Sequence, residues 1–204
     1  FVEADLHEAA QRHPAQAAAM GAGMLFAFRD QVGMLGHAES DGSLHFYLGL
    51  RVAEDWADTI DFSDTPAAKD AVLEHLSGWD EALRGMVAHA DTALTLRRIH
   101  ALPVGLTWQR VPGVTLLGDA AHLMSPFAGE GANLALYDGA QLATAITTHP
   151  GQVEAALAAY EAELYPRSAR AAEDSADSLE VLYSPGSPQG IVAMFAAMYS
   201  PGED

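Results

Sequence analysis

The hydrophobic positions of this chain change period along its length. In the first fifty residues they form short runs at 24–28, 32–35 and 44–52, a pattern that predicts β-strands. Between the last two runs stands His37-Ala38-Glu39-Ser40-Asp41-Gly42. Its Asp-Gly step is a hairpin signal, because both residues tolerate the left-handed backbone of a tight turn. The run Leu44-His45-Phe46-Tyr47-Leu48-Gly49-Leu50 alternates imperfectly, which puts one sheet face under protein and leaves the other half covered. Residues 9–20 are rich in Ala and Gln and read as a helical turn or a loop.

From residue 53 the pattern turns helical. Thr65 as N-cap, Pro66 in the first turn and Ala71, Val72 and Leu76 on one side predict a helix that Gly78 stops. A second helix is predicted over 80–89, and a strand at the start of 92–102, ended by Pro103 and Gly105. Val114-Thr115-Leu116-Leu117 predicts a short buried strand, 118–131 a glycine-containing loop, and 132–147 a helix carrying Leu134, Leu142, Ala143 and Ile146. A long helix is predicted over 153–183, kinked or broken by Pro166. A turn cluster at 184–188 precedes a short final helix over 191–199.

Composition narrows the chemistry. Half of the chain is apolar, which argues against disorder, and no apolar run is long enough to span a membrane. The 28 Asp and Glu against 10 Lys and Arg leave no basic stripe for nucleic acid. With no cysteine, disulfides, thiolate catalysis, Fe–S clusters and zinc fingers are excluded. Lys69 is the only lysine, which argues against Schiff-base chemistry. Nine histidines, none spaced with carboxylates as metal ligands, offer no metal site, and no Gly-x-Ser-x-Gly elbow supports a hydrolase. The acidic, alanine-rich balance reads as a soluble cytoplasmic protein.

The informative stretch is 114–138. A strand that ends at Gly118-Asp119 puts a carboxylate at the C-terminal edge of a sheet, where α/β folds bind ligands. Gly129 and Gly131 let the backbone approach a flat ligand. A helix starting near 130–132 turns its free N–H groups and positive dipole end toward the same edge. Asp119 then suits a ribityl or ribose hydroxyl, and the helix start suits an oxygen gaining negative charge.

These residues, Gly118-Asp119-Ala120-Ala121-His122 followed by Pro126-x-x-Gly129-x-Gly131-x-Asn133, closely resemble the second flavin motif of FAD-dependent aromatic monooxygenases with a para-hydroxybenzoate-hydroxylase-like fold. The spelling is most similar to the tetracycline-inactivating and polyketide-hydroxylase subfamily. Further similar runs are Glu3-Ala4-Asp5-Leu6-His7, Gly42-Ser43-Leu44-His45-Phe46, Gly78-Trp79-Asp80 and Ala159-Tyr160-Glu161. The resemblance implies FAD binding through Gly118, Asp119, Pro126, Gly129, Gly131, Ala132 and Asn133. It implies substrate contacts at His45, Leu35, Phe127, Ala128 and Leu182, with Phe26, Phe28, Met34 and Phe46 as further candidate lining or core. His122 would hold the loop. NAD(P)H would reduce the flavin, O2 would add to give a C4a-hydroperoxide, and an aromatic or polyketide substrate would be hydroxylated. The flavin carries the chemistry, so no catalytic side chain is implied. The Gln and Arg that tetracycline-inactivating members carry on their sheet align near Ala18 and Met24, which points to a more apolar cleft. A flavin reductase or halogenase of the same fold, or a non-catalytic binding domain, are the alternatives.

The family's Gly-x-Gly-x-x-Gly nucleotide loop is missing: neither Gly21-Ala22-Gly23 nor 33–36 supplies it. The expected fold class is therefore α/β, an α+β substrate sheet plus part of a Rossmann-like FAD domain, lacking the N-terminal nucleotide-binding half. Residues 1–102 would form the substrate portion, 103–150 the closing part of the FAD domain, and 151–204 a bridging helix and a short final helix. The start at Phe1, inside a strand-like run, fits that expectation, with the missing half in the same polypeptide or another chain.

Overall fold

Strict alternation of buried and half-buried residues in the first strand, Val2–Leu6, sets the geometry of a five-stranded antiparallel sheet. The computed structural model describes residues 1–199. Its strands are β1 (Val2–Leu6), β2 (Met24–Arg29), β3 (Val32–Ala38), β4 (Leu44–Leu50) and β5 (Thr95–Leu96), in the order β2-β3-β4-β1-β5. The helices are α1 (Ala9–Arg12), α2 (Pro14–Met20), α3 (Thr65–Glu74), α4 (Glu81–Ala88), α5 (Asp119–His122), α6 (Gly131–Thr148), α7 (Val153–Leu182) and α8 (Gln189–Tyr199). The chain divides into two compact units, one of Phe1–Arg98 with the described residues from Val181 onward, the other of Ile99–Glu180.

In the first unit one sheet face is buried. Val2, Ala4, Leu6, Met34, Phe46 and Leu48 pack with Val72 and Leu76 near α3 and with Met86 and Val87 of α4. The opposite face carries the alternate residues. Register aligns Glu3, Tyr47, Leu35 and Phe26 in one row across β1, β4, β3 and β2, and Asp5, His45, His37 and Met24 in the next. A third row pairs Gly33 with Gly49, and these glycines have a packing reason. A Cβ at Gly49 would overlap the Tyr183 phenol, and one at Gly33 would overlap the Phe28 ring. Tyr183 is buried there, edge-on to Phe28, and burial raises its phenol pKa well above the ordinary value.

Several local expectations are corrected. The N-cap of α3 is Asp64, whose side chain accepts from the Ala67 N–H; Thr65 is the first helical residue. The alternation after residue 92 yields only Thr95–Leu96, enough to pair with Val2 and Glu3. Residues 9–20 resolve into two short helices. The β2–β3 turn, Asp30-Gln31, has both residues in the left-handed region (φ 48 and 70), a two-residue hairpin without the usual Asn-Gly signal. Helix α7 runs unbroken through Pro166.

In the second unit the predicted strand 114–117 does not form. Among the described residues its only pairing is a bridge between Val111 and Val114, and Val114 and Leu117 are 52% and 42% exposed. Side chains of α7 hold this segment instead of a ladder. Tyr160 Oη donates to the Leu116 carbonyl, Glu154 accepts from the Gly113 N–H, and buried Glu161 accepts from Trp108, Arg110 and Thr115. Ala121, Ala145, Ala156, Tyr160 and Leu164 form the small core of this unit. No helix among the described residues is long and apolar enough to cross a membrane.

Because Tyr183 sits in the notch made by paired glycines, Gly49→Ala forces the ring out. We expect a loss of about 1–3 kcal/mol in denaturant unfolding, the usual cost of overfilling a packed site. An unchanged midpoint contradicts the notch.

Candidate functional site

The loop that follows Leu117 starts on a glycine that cannot be replaced without strain. Gly118 has φ +58, and a Cβ there would lie 3.3 Å from the Ala135 Cβ of α6. Its N–H donates at 3.0 Å to Asp138, a residue of α6 with no exposed surface. The same carboxylate accepts from His122 Nε2 at 2.6 Å and from Arg167 of α7 at 2.9 Å. A carboxylate cannot donate, so His122 carries its hydrogen on Nε2 in this pair. Arg167 also lies over the Tyr137 ring, 4.8 Å from its centroid. Burial would raise the Asp138 carboxyl pKa, but the Gly118 N–H, His122 and Arg167 together outweigh it and hold it below the ordinary value.

Further along, the loop is pinned a second time. Ser125 and Ser175, both buried, exchange hydrogen bonds: the hydroxyls lie 2.7 Å apart, and Ser175 Oγ donates to the Ser125 carbonyl at 2.6 Å. Pro126–Ala128 then form one 3-10 turn and Gly129 adopts φ +69. Helix α6 opens at Gly131 with Glu130 before it, and Glu130 gives no side-chain cap. Leu134 N–H reaches the Glu130 carbonyl, whereas the N–H groups of Gly131, Ala132 and Asn133 have no acceptor among the described residues. Asp119, Ala132 and Asn133 are exposed. The loop thus offers two solvent-facing carboxylates, Asp119 and Glu130, and a cluster of backbone donors without an acceptor among the described residues at the positive end of an 18-residue helix. That donor set fits a ligand with hydroxyls at one end and electron-rich carbonyl oxygens at the other, as FAD has.

On the first unit, the open sheet face gathers polar and aromatic side chains. His45 Nδ1 lies 2.6 Å from Asp5 Oδ1, and the ring stands edge-on to Tyr47 with centroids 4.5 Å apart. His37 is hydrogen-bonded to Glu39 at 2.8 Å, and its ring centroid is 5.6 Å from that of His45. Arg97 is bound to Glu3 at 2.8 Å. Leu35 lies in register beside Tyr47 on this face, so His45 and Leu35 share it.

Other candidates fall elsewhere. Met34 and Phe46 are core residues on the opposite face, with no exposed surface. Phe28 is buried under Tyr183, and Phe26 is 44% exposed on the edge strand. Leu182 is buried, and its neighbour Tyr183 is the residue that reaches the sheet. Phe127 and Ala128 are half-buried in the 3-10 turn of the second unit. Ala18 lies on the outside of α2, away from the strands, whereas Met24 stands on β2. Sequence reasoning gave no role to Asp138. The signal was present: Leu134, Asp138 and Leu142 recur every four residues, so a charge sits in the apolar stripe of a helix. Asp5 was unmarked because its partner His45 is forty residues away and meets it only through strand register.

Removing Asp138 should unfold this arrangement rather than relax it. Asp138→Ala strands a guanidinium, an imidazole and an amide, and we expect a loss of about 3–5 kcal/mol at neutral pH. The folded-state pKa is depressed, so the contribution is complete above the ordinary value of 3.8 and disappears as pH falls through the folded value. Thermal unfolding across pH should show the gap between variant and parent closing in acid. A small gap independent of pH contradicts the assignment.

Comparison with known proteins agrees with this geometry. A family model described as FAD binding domain matches residues 26–175. Kynurenine 3-monooxygenase of Salinispora arenicola is 34% identical over 157 residues, covering 73% of this chain and 32% of that enzyme. Klebsiella pneumoniae HpxO, solved with FAD and uric acid, shares the fold at TM-score 0.70 and 20% identity, over 97% of this chain and 47% of that one. A salicylate hydroxylase substrate complex does so at TM-score 0.71 and 21% identity, over 97% of this chain and 52% of that one. The chain therefore spans about half the length of these solved structures and about a third of the curated relative. It belongs to the FAD binding domain family, among relatives that are FAD-dependent monooxygenases.

Proposed function

We infer that this chain supplies the flavin-facing loop and the substrate sheet of an FAD-dependent, NAD(P)H-using hydroxylase of polycyclic aromatic or polyketide substrates. The observation that carries the reading is the row of free N–H groups at Gly131, Ala132 and Asn133, on a loop fixed from both ends by buried hydrogen bonds. Asp119 would accept from a ribityl or ribose hydroxyl, with Gly118 holding the backbone that presents it. Pro126 and Gly129 would line the ring, and the helix start would meet its pyrimidine edge. When bound and reduced by NAD(P)H, FAD supplies the activation of O2 from which one oxygen atom passes to the substrate. The chain's own part is electrostatic and steric. The positive end of α6 stabilises negative charge on the bound ring system, and the prefixed loop does so without reorganising. The sheet face orients the substrate, with Asp5 fixing the His45 ring and Tyr47, Leu35 and Phe26 offering apolar contact.

The second unit also leaves large apolar side chains uncovered: Leu136 is 76% exposed, Val114 52%, Ile146 50% and Leu117 42%. A nucleotide-binding half carrying the glycine-rich loop is the partner that these side chains suit, whether in the same polypeptide or in a second chain. It would give the 114–117 segment its strand neighbours.

Asp119→Ala tests the flavin assignment. In the protein joined to its nucleotide-binding half, FAD titration followed by absorbance should show affinity reduced about 10–100-fold, the worth of a charge-assisted hydrogen bond. Unchanged affinity refutes the role given to Asp119, and a protein that stays colourless at saturating FAD refutes the flavin reading itself.

A further inference from the structure

The open face of the sheet holds its charges in matched pairs, and with neutral histidine rings the balance is acidic. Arg97 is tied to Glu3 at 2.8 Å. The two histidines each face a carboxylate of their own, His45 on Asp5 at 2.6 Å and His37 on Glu39 at 2.8 Å. A protonated ring is neutralised by its own partner, and a neutral ring carries no charge. In either state, every cation in these rows among the described residues already faces a carboxylate, although Arg97 meets Glu3 through Nε alone and keeps 62% of its side chain exposed. The carboxylates keep acceptor capacity, since each has two oxygens and Asp5 and Glu3 retain 33% and 18% of their side-chain surface.

We propose that this face selects aromatic substrates that carry hydroxyl or amide donors and no carboxylate. The proposal rests on reading the face as the substrate surface of a hydroxylase. A carboxylate brought beside Glu3 and Asp5 meets like charge, and it gains a cation only by sharing Arg97 with Glu3 or by displacing Asp5 from His45. A hydroxyl or amide N–H donates to the same oxygens and displaces nothing. The ring itself lies on Leu35, Tyr47 and Phe26, in the register row of Glu3 and next to that of Asp5. The selectivity therefore comes as much from what the face repels as from what it binds.

Matched ligand pairs test this in the FAD-loaded protein. The probes are salicylamide against salicylate and anthranilamide against anthranilate. Binding is read from chemical-shift changes at the His45 and Tyr47 backbone amides, and FAD occupancy from absorbance in the same sample. Each amide should bind at least about tenfold more tightly than its acid, the scale of rejecting one unpaired like charge. Glu3→Gln frees Arg97 and should bring acid and amide to within about threefold of each other. An acid that binds as tightly as its amide to the unsubstituted protein overturns the proposal, as does the absence of shifts with either ligand. An unchanged ratio in Glu3→Gln also counts against it. Normal FAD binding with no discrimination sinks the selectivity alone. Discrimination without FAD binding sinks the hydroxylase reading and leaves the selectivity standing.

Discussion

A carboxylate with no exposed surface must be met by donors or it will not ionise, and Asp138 is met by three. Each comes from a different segment. Gly118 begins the glycine-rich loop, His122 ends the short helix after it, and Arg167 belongs to the long helix α7. One side chain on α6 thereby fixes where the loop departs, while the Ser125–Ser175 pair fixes where it returns. The N–H groups of Gly131, Ala132 and Asn133 have no acceptor among the described residues because they open α6, and the loop before them supplies no cap.

The same economy appears in the segment ahead of the loop. Residues 108–117 lack a sheet partner among the described residues, yet they do not float. From α7, Glu154 and Glu161 hold them at backbone and side-chain donors, and Tyr160 donates to the Leu116 carbonyl. In the other unit the division of labour follows strand alternation. One face is spent on the core with α3 and α4, and the other carries its charges in pairs.

Much of this was legible in the sequence, and the limits have physical causes. The β3–β4 hairpin followed from Asp41-Gly42, and α4 and α6 followed from period and flanking residues, because these signals are local. The 114–117 strand failed because a strand needs a neighbour, which apolar pattern alone does not supply. The unbroken α7 shows tertiary contacts on both sides of Pro166 overriding its cost. That His45 and Leu35 share one face, and the roles of Asp5 and Tyr183, were not legible, since they arise from strand register and from the Gly33–Gly49 notch. The motif residues were recognisable as a block, but the carboxylate that organises them lay outside it, visible only as a charge on an apolar stripe.

The most direct measurement is amide hydrogen exchange at Gly118. If its N–H is held by a buried Asp138 carboxylate, it should exchange only on global unfolding, with protection matching the core amides of α7, while the Ala132 and Asn133 amides exchange quickly. Fast exchange at Gly118, at the rate of Ala132, would contradict the account, because the loop would then have no fixed origin.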